Sequence, residues 1–196
     1  MNKSRFEAFS DGVFAFAITL LILGVVLPEA RYATNRELAL ALLRLWPNAI
    51  AYGLSFAVIG IMWQNHHALF RLVERVDRRT VFLNLVLLAG TAFIPFATST
   101  LGTYPTMQAA AFLYGVALSF CATAYNLMLS HLVASRAFHA NVSPAAIAQT
   151  VRAYRFGWVT YVGAMLLALV APVVSFAAYV VVALYYLIPR GLDADM

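Results

Sequence analysis

The sequence predicts an all-α integral membrane protein with six transmembrane helices, and two observations carry that prediction. Hydrophobic residues make up 63% of the 196-residue chain and charged residues 11%, against roughly 45–50% and about 25% in ordinary soluble domains; the mean hydropathy is +0.82. Polar punctuation then divides the chain into six apolar runs close to the ~20 residues that a helix needs to cross a bilayer. These runs lack the period-two alternation of barrel strands. A run in lipid must satisfy its own backbone, which leaves helix.

The expected spans are about 5–27, 48–70, 80–101, 107–133, 151–171 and 173–189, in one domain covering 1–196. Lys3 and Arg5 ahead of an apolar run resemble a signal peptide, but Glu7 and Asp11 interrupt its start and the run is long, so it reads as a retained first helix. Ser4-x-x-Glu7 reads as a capping box that starts it, and Pro28 as its end. The amphipathic stretch 29–47 either extends the second helix or lies in the interface, with Trp46 as an anchor. Ser143-Pro144 has the form of an N-cap followed by proline at the first helical position, and Pro172 separates the last two runs into a tight hairpin.

With six spans both termini share a side. That side collects Lys3, Arg5, Arg71, Arg75, Arg78, Arg79, Arg136, Arg152, Arg155 and Arg190, and the other only Arg31, Arg36 and Arg44. The positive-inside rule therefore places both termini in the cytoplasm of a multi-pass cell-membrane protein, embedded in lipid. The same rule accounts for the net charge of +5 without nucleic acid as a partner. A single cysteine, Cys121, excludes an intramolecular disulfide and a cysteine metal cluster. Trp158, Tyr154, Tyr161, Tyr185 and Tyr186 read as interface anchors or packing residues. Gly157 and Gly163 read as points of close helix approach, and His131 and His139 flank a loop on the basic side.

The first helix carries the most information. At about 100° per residue, Arg5, Phe9, Phe16, Leu20, Leu23 and Leu27 fall on one stripe with Thr19 at its edge. Asp11 lies about 140° from Phe16 and Ser10 about 120° the other way. Arg5 is six residues from Asp11 and cannot easily pair with it, and Glu7 at i, i+4 repels it. Asp11 should therefore find its partner on another helix, and a carboxylate toward the membrane interior is a functional-site candidate. Candidate partners are Trp63, Gln64, Asn65, His66, His67 and Arg71 in the second span and Asn84 in the third, forming a buried polar network. Adjacent histidines lack the i, i+3 or i, i+4 spacing of helical metal ligands, so no metal is expected. No cofactor and no nucleophile–base–orienter set is indicated, so the chain does not read as an enzyme.

Arg5-x-x-x-Phe9-Ser10-Asp11 followed by GVFAFAITLLIL resembles the first helix of the transmembrane protein 175 family of potassium channels, whose prokaryotic members are six-helix subunits. The resemblance continues through Ser55-Phe56, Trp63-x-x-His66-His67 and Asn84-Leu85 to Pro95-Phe96; beyond that it is one of architecture. It implies a homotetramer in which the first helix of each subunit lines a central pore for potassium ions, without a re-entrant selectivity loop. It also implies an apolar constriction at i, i+4 and i+7 beside a threonine layer. Carried over from the motif aspartate, these positions are Phe16, Leu20 and Leu23, with Thr19 as the threonine.

The family usually has Ile or Leu where this chain has Phe16. A ring of four phenylalanines either closes the pore more tightly or tilts aside and leaves discrimination to Thr19 and Leu20. Thr160-Tyr161-Val162-Gly163-Ala164 resembles a filter sequence only superficially, since it lies within an apolar run. Arg5 on the pore-facing stripe would repel cations, unless it turns to a neighbouring subunit or bridges to another chain's Glu7 or Asp11. The competing reading is a proton-coupled secondary transporter using Asp11 and His66/His67. Against it, the second half has no acid between Asp77 and Asp193, whereas transporters repeat their sites in both halves.

Overall fold

The computed structural model describes residues 3–187, so Arg190 and the end of the last expected span lie outside the described residues, as does the side chain of Tyr185. Seven α-helices follow in order: α1 Lys3–Leu20, α2 Asn35–Arg44, α3 Trp46–Leu72, α4 Arg78–Thr103, α5 Gln108–Ala134, α6 Pro144–Leu167 and α7 Pro172–Leu187. α1 tightens into a 3₁₀ turn over Leu21–Gly24. Among the described residues, α1 with this turn, α3, α4 and α5 are long and apolar enough to cross a membrane. α6 is long enough, but its first half carries Gln149, Arg152 and Arg155, and α7 is a shorter apolar helix.

α5 is the hub, packed against α4, α6 and α7, while α3 packs on α4 and α7 and α1 lies across α3 and α4. The α4–α5 contact is close because Gly90 has no side chain: a Cβ there would meet Phe120 Cδ1 at 2.6 Å and Cys121 Sγ at 2.8 Å. Hydroxyls pin the same helices: Thr98 on α4 donates to Ser55 Oγ on α3 at 2.7 Å, and Ser55 shares a 2.9 Å bond with the Tyr114 hydroxyl on α5. Tyr125 on α5 donates to the Met62 carbonyl of α3. In lipid such bonds are worth about 0.6 kcal/mol each and up to about 1.7, so they set register more than they supply stability.

The structure corrects some local expectations and meets others. Ser4 lies inside α1 rather than capping it, and Glu7 stands 4.0 Å from Lys3 Nζ one turn back. The regular helix ends at Leu20 and the 3₁₀ turn at Gly24 rather than at Pro28: Pro28 has no N–H to give the Gly24 carbonyl, and Gly24 is pressed against Ser99 of α4. The stretch 29–47 holds a separate helix, α2, with no buried residue; Thr34 accepts from the Glu37 amide at 3.2 Å, and Glu37 reaches back to the Ala33 amide at 2.8 Å. Gly157 does admit a neighbour, the Tyr186 hydroxyl, but a Cβ at Gly163 would meet nothing within 4 Å. Residues 160–164 are continuous α6 helix. The N-cap at Ser143 forms as expected, its hydroxyl accepting from the Ala146 amide at 3.2 Å ahead of Pro144.

The loops at one end are tied together. Val73 and Phe138 form an antiparallel bridge, Glu74 donates its amide to the Ala137 carbonyl at 2.8 Å, and His139 donates its amide to Leu72 at 3.0 Å. Lys3 adds a 2.6 Å bond to the Val73 carbonyl. Lys3, the α3–α4 turn and the α5–α6 loop therefore share one side, which carries most of the basic residues.

Asp77 caps α4 here, accepting from the Thr80 amide at 2.8 Å and the Thr80 hydroxyl at 2.7 Å, and its carboxylate meets His131 Nε2 at 2.8 Å. The Thr80 amide, then the Thr80 hydroxyl and His131, outweigh desolvation and hold the Asp77 carboxyl down to about 2. A carboxylate shifted downward stabilises the fold fully above its ordinary value of about 4 and loses that contribution as the pH falls toward 2. Thermal melts in detergent should therefore fall over that window. Asp77→Asn, which keeps a capping acceptor but no charge, should flatten the fall; an unchanged pH profile would exclude the pair as its source.

Candidate ion-path helix and its supporting network

The first helix divides its residues between two faces. Phe6, Ser10, Phe14, Ala17 and Leu21 are buried against α3 and α4; their three- and four-residue spacing makes one continuous stripe. On the opposite side Arg5, Phe9, Gly12, Phe16, Thr19 and Leu23 are exposed in the single chain. Phe16 is 64% and Leu23 68% exposed, while Leu20 is half-buried at the shoulder. Thr19 lies near the middle of this free face and donates to its own helix, to the Phe16 carbonyl at 2.8 Å. That bond leaves the lone pairs of the hydroxyl oxygen turned to the open side.

α1 is also the least embedded of the four long spans. Only 28% of its apolar window is buried within the subunit, compared with 39% for α3, 44% for α4 and 56% for α5.

The buried stripe is fixed by a polar chain through three helices. Asn84 on α4 donates Nδ2 to Ser10 Oγ at 2.9 Å, and Ser10 donates to the Phe6 carbonyl at 3.0 Å. With its amide nitrogen committed to Ser10, Asn84 presents Oδ1 to His66 Nε2 at 2.9 Å, so the imidazole donates there. The rings of Phe6, Phe14 and Phe70 surround His66 at centroid distances of 6.0, 5.5 and 4.6 Å. A bonded chain in so apolar a sleeve is rigid, because parting Asn84 from His66 leaves a buried donor without its acceptor.

Asp11 belongs to a different contact. Its Oδ1 accepts from Trp63 Nε1 on α3 at 2.9 Å, and the Trp63 indole stacks on His67 at 6.3 Å. The single network expected from the sequence is thus two: Ser10–Asn84–His66 inside the subunit, and Asp11–Trp63 with His67 toward its surface. Arg5, Phe9, Gln64 and Arg71 are exposed and join neither. Consecutive residues on a helix diverge by about 100°, which puts His66 inside and His67 outside. Among the described residues no three His, Cys, Asp or Glu side chains converge as metal ligands. The hydroxyl chain Thr98–Ser55–Tyr114 was not anticipated; its signal was a run of hydroxyl residues inside otherwise apolar spans.

These features define a helical, multi-span membrane protein whose first span is clamped on one side by polar bonds and bare on the other. The chain belongs to the TMEM175 family. The family described as "Endosomal/lysosomal potassium channel TMEM175" matches residues 5–95. A potassium channel from Streptomyces collinus is 42% identical over 193 residues, covering 95% of this chain and 92% of that one. A potassium channel from Chamaesiphon minutus is 36% identical, covering 94% and 93%. The crystal structure of a lysosomal potassium-selective channel TMEM175 homolog from Chamaesiphon minutus superposes with a TM-score of 0.85 at 34% identity, over 94% of this chain and 96% of that one. These relatives are channels, not enzymes.

Proposed function

We propose that the protein is a potassium channel assembled from four copies, with six membrane helices each and both termini cytoplasmic, in which α1 of each copy faces a central pore. The observation that carries this reading is the bare face of α1: a membrane span with Phe9 56%, Phe16 64% and Leu23 68% exposed and one hydroxyl at its middle. In this reading Phe16, Leu20 and Leu23 form the hydrophobic constriction, which gates by dewetting, and four Thr19 hydroxyls replace part of the ion's hydration shell. Ser10, Asn84, His66, Asp11 and Trp63 hold α1 to its own subunit so that the bare face stays aimed at the axis. The basic residues gathered at the tied-loop end support a cytoplasmic assignment of that end.

Purified protein in liposomes should pass potassium down its gradient with no coupled ion, and a strict need for a proton gradient would sink the proposal in favour of a transporter. Thr19→Ala should leave the tetramer intact in detergent while shifting the potassium-over-sodium reversal potential. An unshifted potential would remove Thr19 from the selectivity step.

A further inference from the structure

A groove in the wall of the helix bundle lies away from α1, between α3, α5, α6 and α7. Met62, Asn65, Ala122, Asn126, Trp158 and Tyr161 are among its lining residues. Its volume is about 70 Å³, well below the roughly 300–1,000 Å³ of a site that swallows a whole small molecule. Its occupant is therefore the end of something that continues outside. Trp158 at its edge is 39% exposed, and the neighbouring Val159 is 59% exposed.

The groove is polar at one end and apolar at the other. Asn65 lies seven residues before the end of α3 and Asn126 eight before the end of α5, about 10–12 Å from the tied-loop end at 1.5 Å per residue. Val58, Leu118 and Tyr161 lie deeper. The polar end is tied up by the protein itself: the Asn126 amide donates to the Ala122 and Tyr154 carbonyls at 2.9 and 3.1 Å, and the Tyr154 hydroxyl donates to the backbone carbonyl of Asn65 at 3.2 Å. Toward the tied-loop end Arg155 precedes Trp158 by three residues on α6, about 60° around the helix from it, whereas Arg152 lies about 120° from Trp158 and turns away from the groove. Both are exposed. The ion pairs among the described residues are Lys3–Glu7 and Asp77–His131, so neither arginine is neutralised by them.

We propose that this groove holds an acyl chain of a phospholipid with an anionic headgroup, whose phosphate is bound by Arg155. The inference rests on the membrane orientation proposed above. An apolar slot beside an exposed guanidinium group matches such a lipid: Arg155 supplies bidentate phosphate recognition, and the anionic inner leaflet supplies the ligand.

Native mass spectrometry of the detergent-purified protein, incubated with phosphatidylglycerol or with phosphatidylcholine of the same chains, tests it. Phosphatidylglycerol should be retained several-fold more strongly. Arg155→Gln should reduce that retention by about fivefold, with phosphatidylcholine unchanged, Arg152→Gln on the other side of α6 should reduce it less, and Ala122→Leu, which fills the slot, should reduce both lipids. Equal retention of the two lipids, or retention indifferent to Arg155→Gln, overturns the proposal. Potassium flux in liposomes is measured on the same preparation. Lipid retention without flux counts against the channel alone, and flux without lipid preference counts against the lipid site alone.

Discussion

Asn84→Ala is expected to destabilise the protein by about 2–4 kcal/mol, the largest loss from any single polar truncation in the bundle. The substitution removes the acceptor of the His66 N–H, which is 1% exposed within a sleeve of three phenylalanines. Leaving such a donor unpaired costs about 1–3 kcal/mol, and the space vacated by the amide adds about 1 kcal/mol more. Ser10 suffers less, since its hydroxyl keeps the Phe6 carbonyl as acceptor. The figure exceeds the ~0.6 kcal/mol average for an interhelical bond in a membrane because the orphaned N–H is buried among phenylalanine rings. Thermal melts in detergent, with His66→Phe combined with Asn84→Leu as the control, check it. Removing both polar partners should recover most of the loss, and a double variant as unstable as Asn84→Ala would show that packing rather than the polar chain is responsible.

Phe16→Asn is expected to raise potassium flux at least tenfold. In the proposed tetramer the side chain occurs four times around one axis, so small changes in wetting multiply. A tenfold change corresponds to about 1.4 kcal/mol, or about 0.35 kcal/mol from each subunit, well within what exchanging an apolar ring for an amide does to local hydration. Sodium flux should rise in parallel if Thr19 sets selectivity, and the reversal potential should then stay where it was. Phe16→Ile, the residue type usual in the family, should fall between the two in flux. If neither variant alters flux, the barrier lies elsewhere on α1, with Leu23 the next candidate.

The helical class and the family were legible because they rest on composition and on a compact motif, from Arg5 to Asp11 and on to Asn84, which lies within the 5–95 match. The division of α1 into faces was legible only in part. Phe6 and Phe14 are buried while Phe9 and Phe16 are exposed, yet all four are equally apolar. In a protein surrounded by lipid, hydropathy does not separate core from exterior as it does in water. Polar residues were the better guide, and even there adjacency misled: Ser10 and Asp11 are neighbours in sequence but point to different helices and join different contacts. The end of α1 was misplaced because a proline constrains the carbonyl four residues before it as well as its own position. The groove on the far side was beyond sequence reading, since Asn65, Asn126 and Tyr154 come together only when three helices pack.

The polar clamp on α1 also dictates a timetable. Ser10 and Asn84 are 74 residues apart, and at roughly 5–20 residues per second of synthesis the first helix enters the bilayer about 4–15 s before its partner is made. For that interval Ser10 has only its own helix to bond to, and Asp11 has no Trp63 until α3 arrives. The nascent first helix is thus half-finished on the side that awaits its own chain and, in the proposed tetramer, also on the side that awaits sister chains. Because the intramolecular side closes as soon as α4 is inserted, a subunit of the proposed tetramer would reach its neighbours with α1 already fixed in rotation.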